Sequence, residues 1–182
     1  QPSRAAPDPA SVPASIRLAR YYLDKDQDRS ARKILQQSWK FTPHPELASL
    51  WREAASKKQK RTPSSMMGWV EKLVALRPDA AESQIAAAEE AVHQGLWGIA
   101  EQYLSMAETI RPSARIYRFR ARLEDLRGHS ETAKRLLEEA GNAPPNKVWT
   151  CTETGRIYES WSPVAEPHGS FNTIVWGYPH ER

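Results

Sequence analysis

Apolar and polar residues follow one another along most of this chain with the spacing of a helix, and prolines interrupt the pattern at nearly constant intervals. Pro43, Pro78, Pro112 and Pro145 are separated by 35, 34 and 33 residues. Each closes an amphipathic stretch, because proline lacks the N–H for the next helical bond and pushes the residue before it out of the helical region. Ala31, Met66, Ala100 and Ala133 stand twelve residues before these prolines; Leu35, Val70, Leu104 and Leu137 follow four later, then Ser38, Leu73, Ala107 and Ala140 after three more. An i, i+4, i+7 stripe of this kind is the buried face of a helix. The pattern predicts helices at about 14–25, 28–41, 46–57, 64–76, 81–94, 97–110, 114–127 and 130–141.

Two helices per period of about 34 residues is the arithmetic of a helical-hairpin repeat. Ala19 and Tyr22, then Ala54, then Ala88 and Ala91, then Ala121 mark the first helices, and Gly95 and Gly128 supply turns in which positive φ is inexpensive. This resembles the tetratricopeptide repeat, with the large aromatic that usually opens each unit missing. The fold class expected is mainly α, a tetratricopeptide-type solenoid of about four hairpins over residues 14–145, closed by a small β-rich cap over 146–182. Residues 1–13 hold four prolines and read as a linker or the start of a fragment. A hairpin of this class buries its face against neighbours, so the first unit is expected to need a preceding repeat or an ordered arm.

Within 182 residues, 40% hydrophobic and 26% charged, there is apolar mass for a core, and no run approaches a membrane-spanning length. A net charge of +4 favours acidic partners without choosing among them. The densest basic run, Lys57-Lys58-Gln59-Lys60-Arg61, has no interleaved aromatics, so single-strand stacking is not expected and nucleic acid is not a predicted partner. With one cysteine, Cys151, the fold has no internal disulfide.

Beyond Pro145 helical spacing gives way to β-branched and aromatic residues, as in Val148-Trp149-Thr150-Cys151 and Thr173-Ile174-Val175-Trp176. Cys151 and Thr154 before Gly155, and Ala165 and His168 before Gly169, occupy the four positions at which a rubredoxin-type ribbon carries metal ligands. Thr154 and Ala165 cannot replace thiolates in a tetrahedral site. The expectation is a ribbon without metal or cofactor, its metal replaced by packing of Trp149, Trp161, Phe171 and Trp176.

Repeats followed by a Trp-x-Cys-x-x-x-Gly segment, a Trp-Ser-Pro segment and a Gly-x-Phe-x-x-x-x-Trp segment resemble the C-terminal region of the proteobacterial HemY family. Ala31-Arg-Lys-Ile-Leu, Pro43-His-Pro-Glu-Leu, Gly95-Leu-Trp-Gly and Ala143-Pro-Pro extend the resemblance over nearly the whole chain. It implies a domain of a bacterial inner-membrane protein, on the cytoplasmic side of an N-terminal anchor absent from this piece. The implied role is a scaffold for enzymes of late haem biosynthesis, such as ferrochelatase and protoporphyrinogen oxidase. Two alternatives accompany it: a tetrapyrrole-binding module using His93 or Cys151 as axial ligand, and an adaptor in lipopolysaccharide assembly similar to LapB.

No catalytic constellation emerges. To bind its dinucleotide, a flavin-dependent oxidase would need a Gly-x-Gly-x-x-Gly turn, which the sequence lacks, and the five histidines have no ligand spacing. A binding role without catalysis is expected, on the concave face that first helices form in such solenoids. Register places Arg20, Trp51, Lys58, Glu89, His93, Arg118 and Arg122 near that face. Arg115, Arg118 and Arg122 share one side of a helix and suit a carboxylate-bearing partner.

Overall fold

The computed structural model describes residues 11–56 and 62–179, which form a mainly helical protein with a small C-terminal strand region. Among the described residues there are eight helices: α1 (Val12–Asp24), α2 (Asp28–Phe41), α3 (Pro45–Ser56), α4 (Pro63–Val74), α5 (Ala81–His93), α6 (Trp97–Ile110), α7 (Ala114–Leu126) and α8 (Ser130–Asn142). The chain divides into two compact units at Arg111–Pro112.

Unit 1 holds three hairpins. Helices α2 and α4 each pack on their own first helix and on the first helix of the next hairpin, α6 packs on α5, and α1, α3 and α5 also touch one another in a row. Small side chains make this approach possible: Ala19, Ala54, Ala88, Ala31 and Ala100 are all buried. The largest buried groups are Trp39 and Trp51, and Trp39 reaches from α2 to α5, its indole N–H donating to Ser83 Oγ at 3.3 Å. Arg77 donates to the carbonyl oxygens of Lys40 and Phe41, satisfying acceptors that the end of α2 leaves without helical partners. Asp79 holds that guanidinium in place through two 3.0 Å bonds; the same bonds lower the Asp79 pKa and raise that of Arg77.

Tight turns recur for one local reason. In three hairpins the residue after the turn donates to a carbonyl five positions back, Gln27 to Tyr22, Leu96 to Ala91 and His129 to Glu124, each at 2.8 Å. This helix-ending loop requires one residue with positive φ. Gly95 and Gly128 supply it at 72° and 82°, and Asp26 at 55°, a residue type that tolerates this region. Helix α1 begins at Val12, inside the expected linker. Pro13 sits in its first turn, where a missing N–H costs nothing.

Unit 2 joins the α7–α8 hairpin to five short strands: β1 (Val148–Cys151), β2 (Ile157–Tyr158), β3 (Val164–Ala165), β4 (Ser170–Phe171) and β5 (Ile174–Gly177). An antiparallel sheet runs in the order β2-β1-β5, and β3 pairs with β4. The segment after α8 returns to the start of α7, where Ala114 N–H donates to Pro144 O at 3.0 Å and Arg115 N–H to Asn146 Oδ1 at 2.8 Å. Free amides of the first helical turn are thereby satisfied. In α8 the stripe loosens, for Leu137 is 54% exposed; the next residues form strands and not a further helical hairpin.

Candidate partner-binding site

The two rows of helices in unit 1 differ in charge. On the first helices, Arg20 of α1 binds Glu46 of α3 at 3.0 Å, and Arg52 of α3 lies 3.8 Å from Glu90 of α5. Glu90 is buried and also accepts from Gln94 Nε2 at 2.6 Å. Glu89 beside it is half-buried, and His93 is exposed one turn on.

On the second helices the picture inverts. Arg29, Arg32 and Lys33 of α2 face Lys72 of α4 across a recess of about 280 Å³ floored by Trp51 and Trp69. None of these four cations meets a carboxylate among the described residues. Arg32 and Lys72 instead lie over the Trp69 ring, at 5.6 and 4.8 Å from its centroid. Such contacts hold a cation loosely and leave its charge unneutralised.

The floor is rigid. Trp51 and Trp69 stack with centroids 4.6 Å apart and planes 17° from parallel. Each indole N–H donates to the other residue's backbone carbonyl, Trp51 to Trp69 at 2.9 Å and Trp69 to Trp51 at 2.8 Å. Two buried donors and two helix carbonyls are satisfied in one clasp, which fixes α4 against α3. On the other side of α4, Tyr103 donates to Glu71 at 3.0 Å, and desolvation followed by that bond pushes the tyrosine pKa up to about 12.

These positions correct the expected groove in part. Trp51 is 2% exposed, so it supports a surface and offers none itself. Arg20 is exposed but engaged by Glu46. Lys58 and the basic run around it lie outside the described residues. In unit 2, Arg118 and Arg122 are exposed on α7 and Arg115 is half-buried. Glu124 is taken by Arg127 at 2.6 Å and His129 at 2.7 Å, which, His129 first, lower its pKa. Sequence reasoning missed the recess altogether. Arg29, Arg32 and Lys33 do stand at i, i+3 and i+4 of α2, a spacing that puts them on one face, but nothing in the sequence announces that Lys72 and two indoles meet them.

In the strand region, Cys151 Sγ lies 3.3 Å from Thr173 Oγ1 and 3.5 Å from His168 Nε2. Hydrogen bonds from Thr154 and Thr173 lower the thiol pKa to about 6 against the opposing effect of desolvation. Ala165 is fully buried, whereas Phe171 is 75% exposed and so cannot be part of the packing expected to replace a metal. Trp149 and Trp176 do meet, with centroids 5.2 Å apart. Among the described residues, no three His, Cys, Asp or Glu side chains converge as metal ligands, and no helix is long and apolar enough to cross a membrane.

No protein-family model matches the chain. It is similar to the probable magnetosome protein Mms48 of Magnetospirillum gryphiswaldense, with 24% identity over 177 residues. That match takes in 94% of this chain and 38% of the relative's length. Among solved structures, the crystal structure of MamA aligns with a TM-score of 0.47 and 15% identity, over 74% of this chain and 79% of that one, a likeness too loose to carry an argument. The expected membership in the HemY family is overturned by the match to Mms48: that relative is a probable magnetosome protein, and the link to haem biosynthesis falls with the resemblance that implied it.

Proposed function

We propose that this chain is a partner-holding module, built of tetratricopeptide-type hairpins, that binds another protein and does no chemistry on it. The observation that carries this reading is the contrast between the first helices, tied together by ion pairs, and the second helices, which present four cations without counter-charges on a rigid floor. A stacked array of hairpins offers a long surface whose shape survives docking, the ordinary use of such architecture. The exposed Arg118 and Arg122 on α7 supply a further contact for an acidic partner.

The decisive test is reconstitution. Proteins retained by the full-length protein in its own cells are purified singly and mixed with it, and light scattering should reveal a complex of fixed stoichiometry. A protein that stays alone with every candidate sinks the reading.

The similarity to Mms48 supports a narrower setting, association with a magnetosome. Expressed with a fluorescent tag in Magnetospirillum gryphiswaldense, the full-length protein should then follow the magnetosome fraction. A uniformly soluble distribution would remove that setting and leave the module reading standing.

For the strand region, the reading is a rubredoxin-like ribbon held without metal. It is supported by Thr154 and the buried Ala165 at two ligand positions and by the engagement of Cys151 with Thr173 and His168. Structural zinc needs four good ligands. Stoichiometric zinc in protein purified without added metal would overturn it.

A further inference from the structure

Resting on the interaction reading above, we propose that the recess between α2 and α4 is a receptor for an acidic segment, a run of Asp and Glu side chains on a partner protein. Like charges gathered at one place repel, and an anion that enters among them relieves that repulsion while gaining its own attraction. Arg32 and Lys72 are held at the same indole ring, and Trp51 already covers one face of it. The two cations therefore share what remains of the ring. Arg29 and Lys33, both exposed, stand beside Arg32 on α2 at helical spacings that bring their side chains to one edge of the recess. Two guanidinium groups there can grip carboxylates bidentately, and the lysines add point charge.

The chemistry of the floor argues against two other anions. A nucleic-acid strand would use exposed aromatic faces to stack its bases. Trp51 and Trp69 are 2% and 5% exposed, stacked on each other, with both indole N–H groups consumed. A membrane surface is flat and is gripped by protruding apolar groups beside basic ones, whereas this site is a recess of about 280 Å³ whose lining residues include no exposed apolar side chain. A concave site of that volume admits a few carboxylate side chains.

The test uses the full-length protein and a fluorescein-labelled peptide of alternating Glu and Asp. Anisotropy should show saturable binding that weakens as salt is added. Arg29→Glu with Lys33→Glu should weaken it by about tenfold or more, since two attractions become repulsions. Lys72→Glu, at an exposed position on the other helix, provides a second and independent variant should the first fold poorly. Reversal of Arg118 and Arg122 on α7 should leave peptide affinity within about twofold. Peptide binding untouched by both recess variants overturns the proposal. So does tighter binding of phosphatidylglycerol vesicles or of a single-stranded oligonucleotide at the same salt.

The two readings fail separately. If the recess variants still form the reconstituted complex with its native affinity, the recess is not the receptor, and the module reading stands on another surface. If the native protein forms no complex with any candidate, the module reading itself falls.

Discussion

The first and second helices of unit 1 both carry basic side chains and use them differently. Arg20 and Arg52 are spent on neighbouring helices, where Glu46 and the buried Glu90 receive them. Arg29, Arg32, Lys33 and Lys72 meet only an indole ring or solvent. A charge committed inside the fold contributes to stability and is lost to recognition, whereas an uncommitted one is free to recognise and should be dispensable for folding. The difference between the rows is thus one of energetic role, and it can be broken by substitution.

The largest effect is expected where both roles meet. Trp51→Ala removes a buried indole, leaves the Trp69 backbone carbonyl without the Trp51 N–H, and should cost about 3–5 kcal/mol of unit 1 stability in chemical denaturation. It should also abolish recess binding. A loss below about 1 kcal/mol would mean that the clasp does not fix α3 to α4.

Next comes Arg52→Ala, which leaves Glu90 buried with one partner fewer and should cost about 1–3 kcal/mol. Arg20→Ala removes a pair whose side chains are 55% and 47% exposed, so thermal melting should shift by the equivalent of about 0.5 kcal/mol or less. Equal losses from the two would erase the distinction between buried and exposed ties. For the uncommitted row, Arg29→Glu with Lys33→Glu should change stability by no more than about 0.5 kcal/mol, and a large loss would show that these cations do serve the fold.

The same contrast of committed and uncommitted groups extends to unit 2, where the effect is expected to be smallest. The Cys151 pKa is depressed to about 6, chiefly by hydrogen bonds from Thr154 and Thr173, so the folded state favours thiolate. Its contribution to stability is full above the ordinary thiol pKa and disappears as pH falls through about 6. Thiolate absorbance should titrate near that value, and Thr173→Val should move the midpoint upward. A midpoint in the ordinary thiol range in the native protein would show Cys151 to be uncommitted.

Much of the helical framework was legible in the sequence because its punctuation is local. Proline at the end of second helices and glycine in the turns act within a few residues, and all eight expected helices lie within two residues of those observed. The burial stripe was equally readable in unit 1, from Ala31, Leu35 and Ser38 through Ala107. It misled at Leu137, since periodicity records which residues face inward and not whether another helix arrives to cover them. Trp51 shows the opposite error. Register put it on a helix face that should be open, but its partner Trp69 lies eighteen residues away, and the meeting of those two rings follows from how α3 and α4 cross. The recess depends on that crossing and was therefore invisible along the chain. The family resemblance misled for another reason: motifs of small residues, turns and tryptophans record a shared way of packing, and packing names no pathway.

Seven tryptophans look at first like an optical muddle, yet the described structure sorts four of them into two couples, one per unit. Trp51 and Trp69 are nearly parallel in unit 1, and Trp149 and Trp176 are inclined by 58° in unit 2. Coupled chromophores of different mutual orientation give different circular dichroism bands, so the protein carries two built-in optical reporters. The order in which its halves melt can be followed in one cuvette without attaching a label.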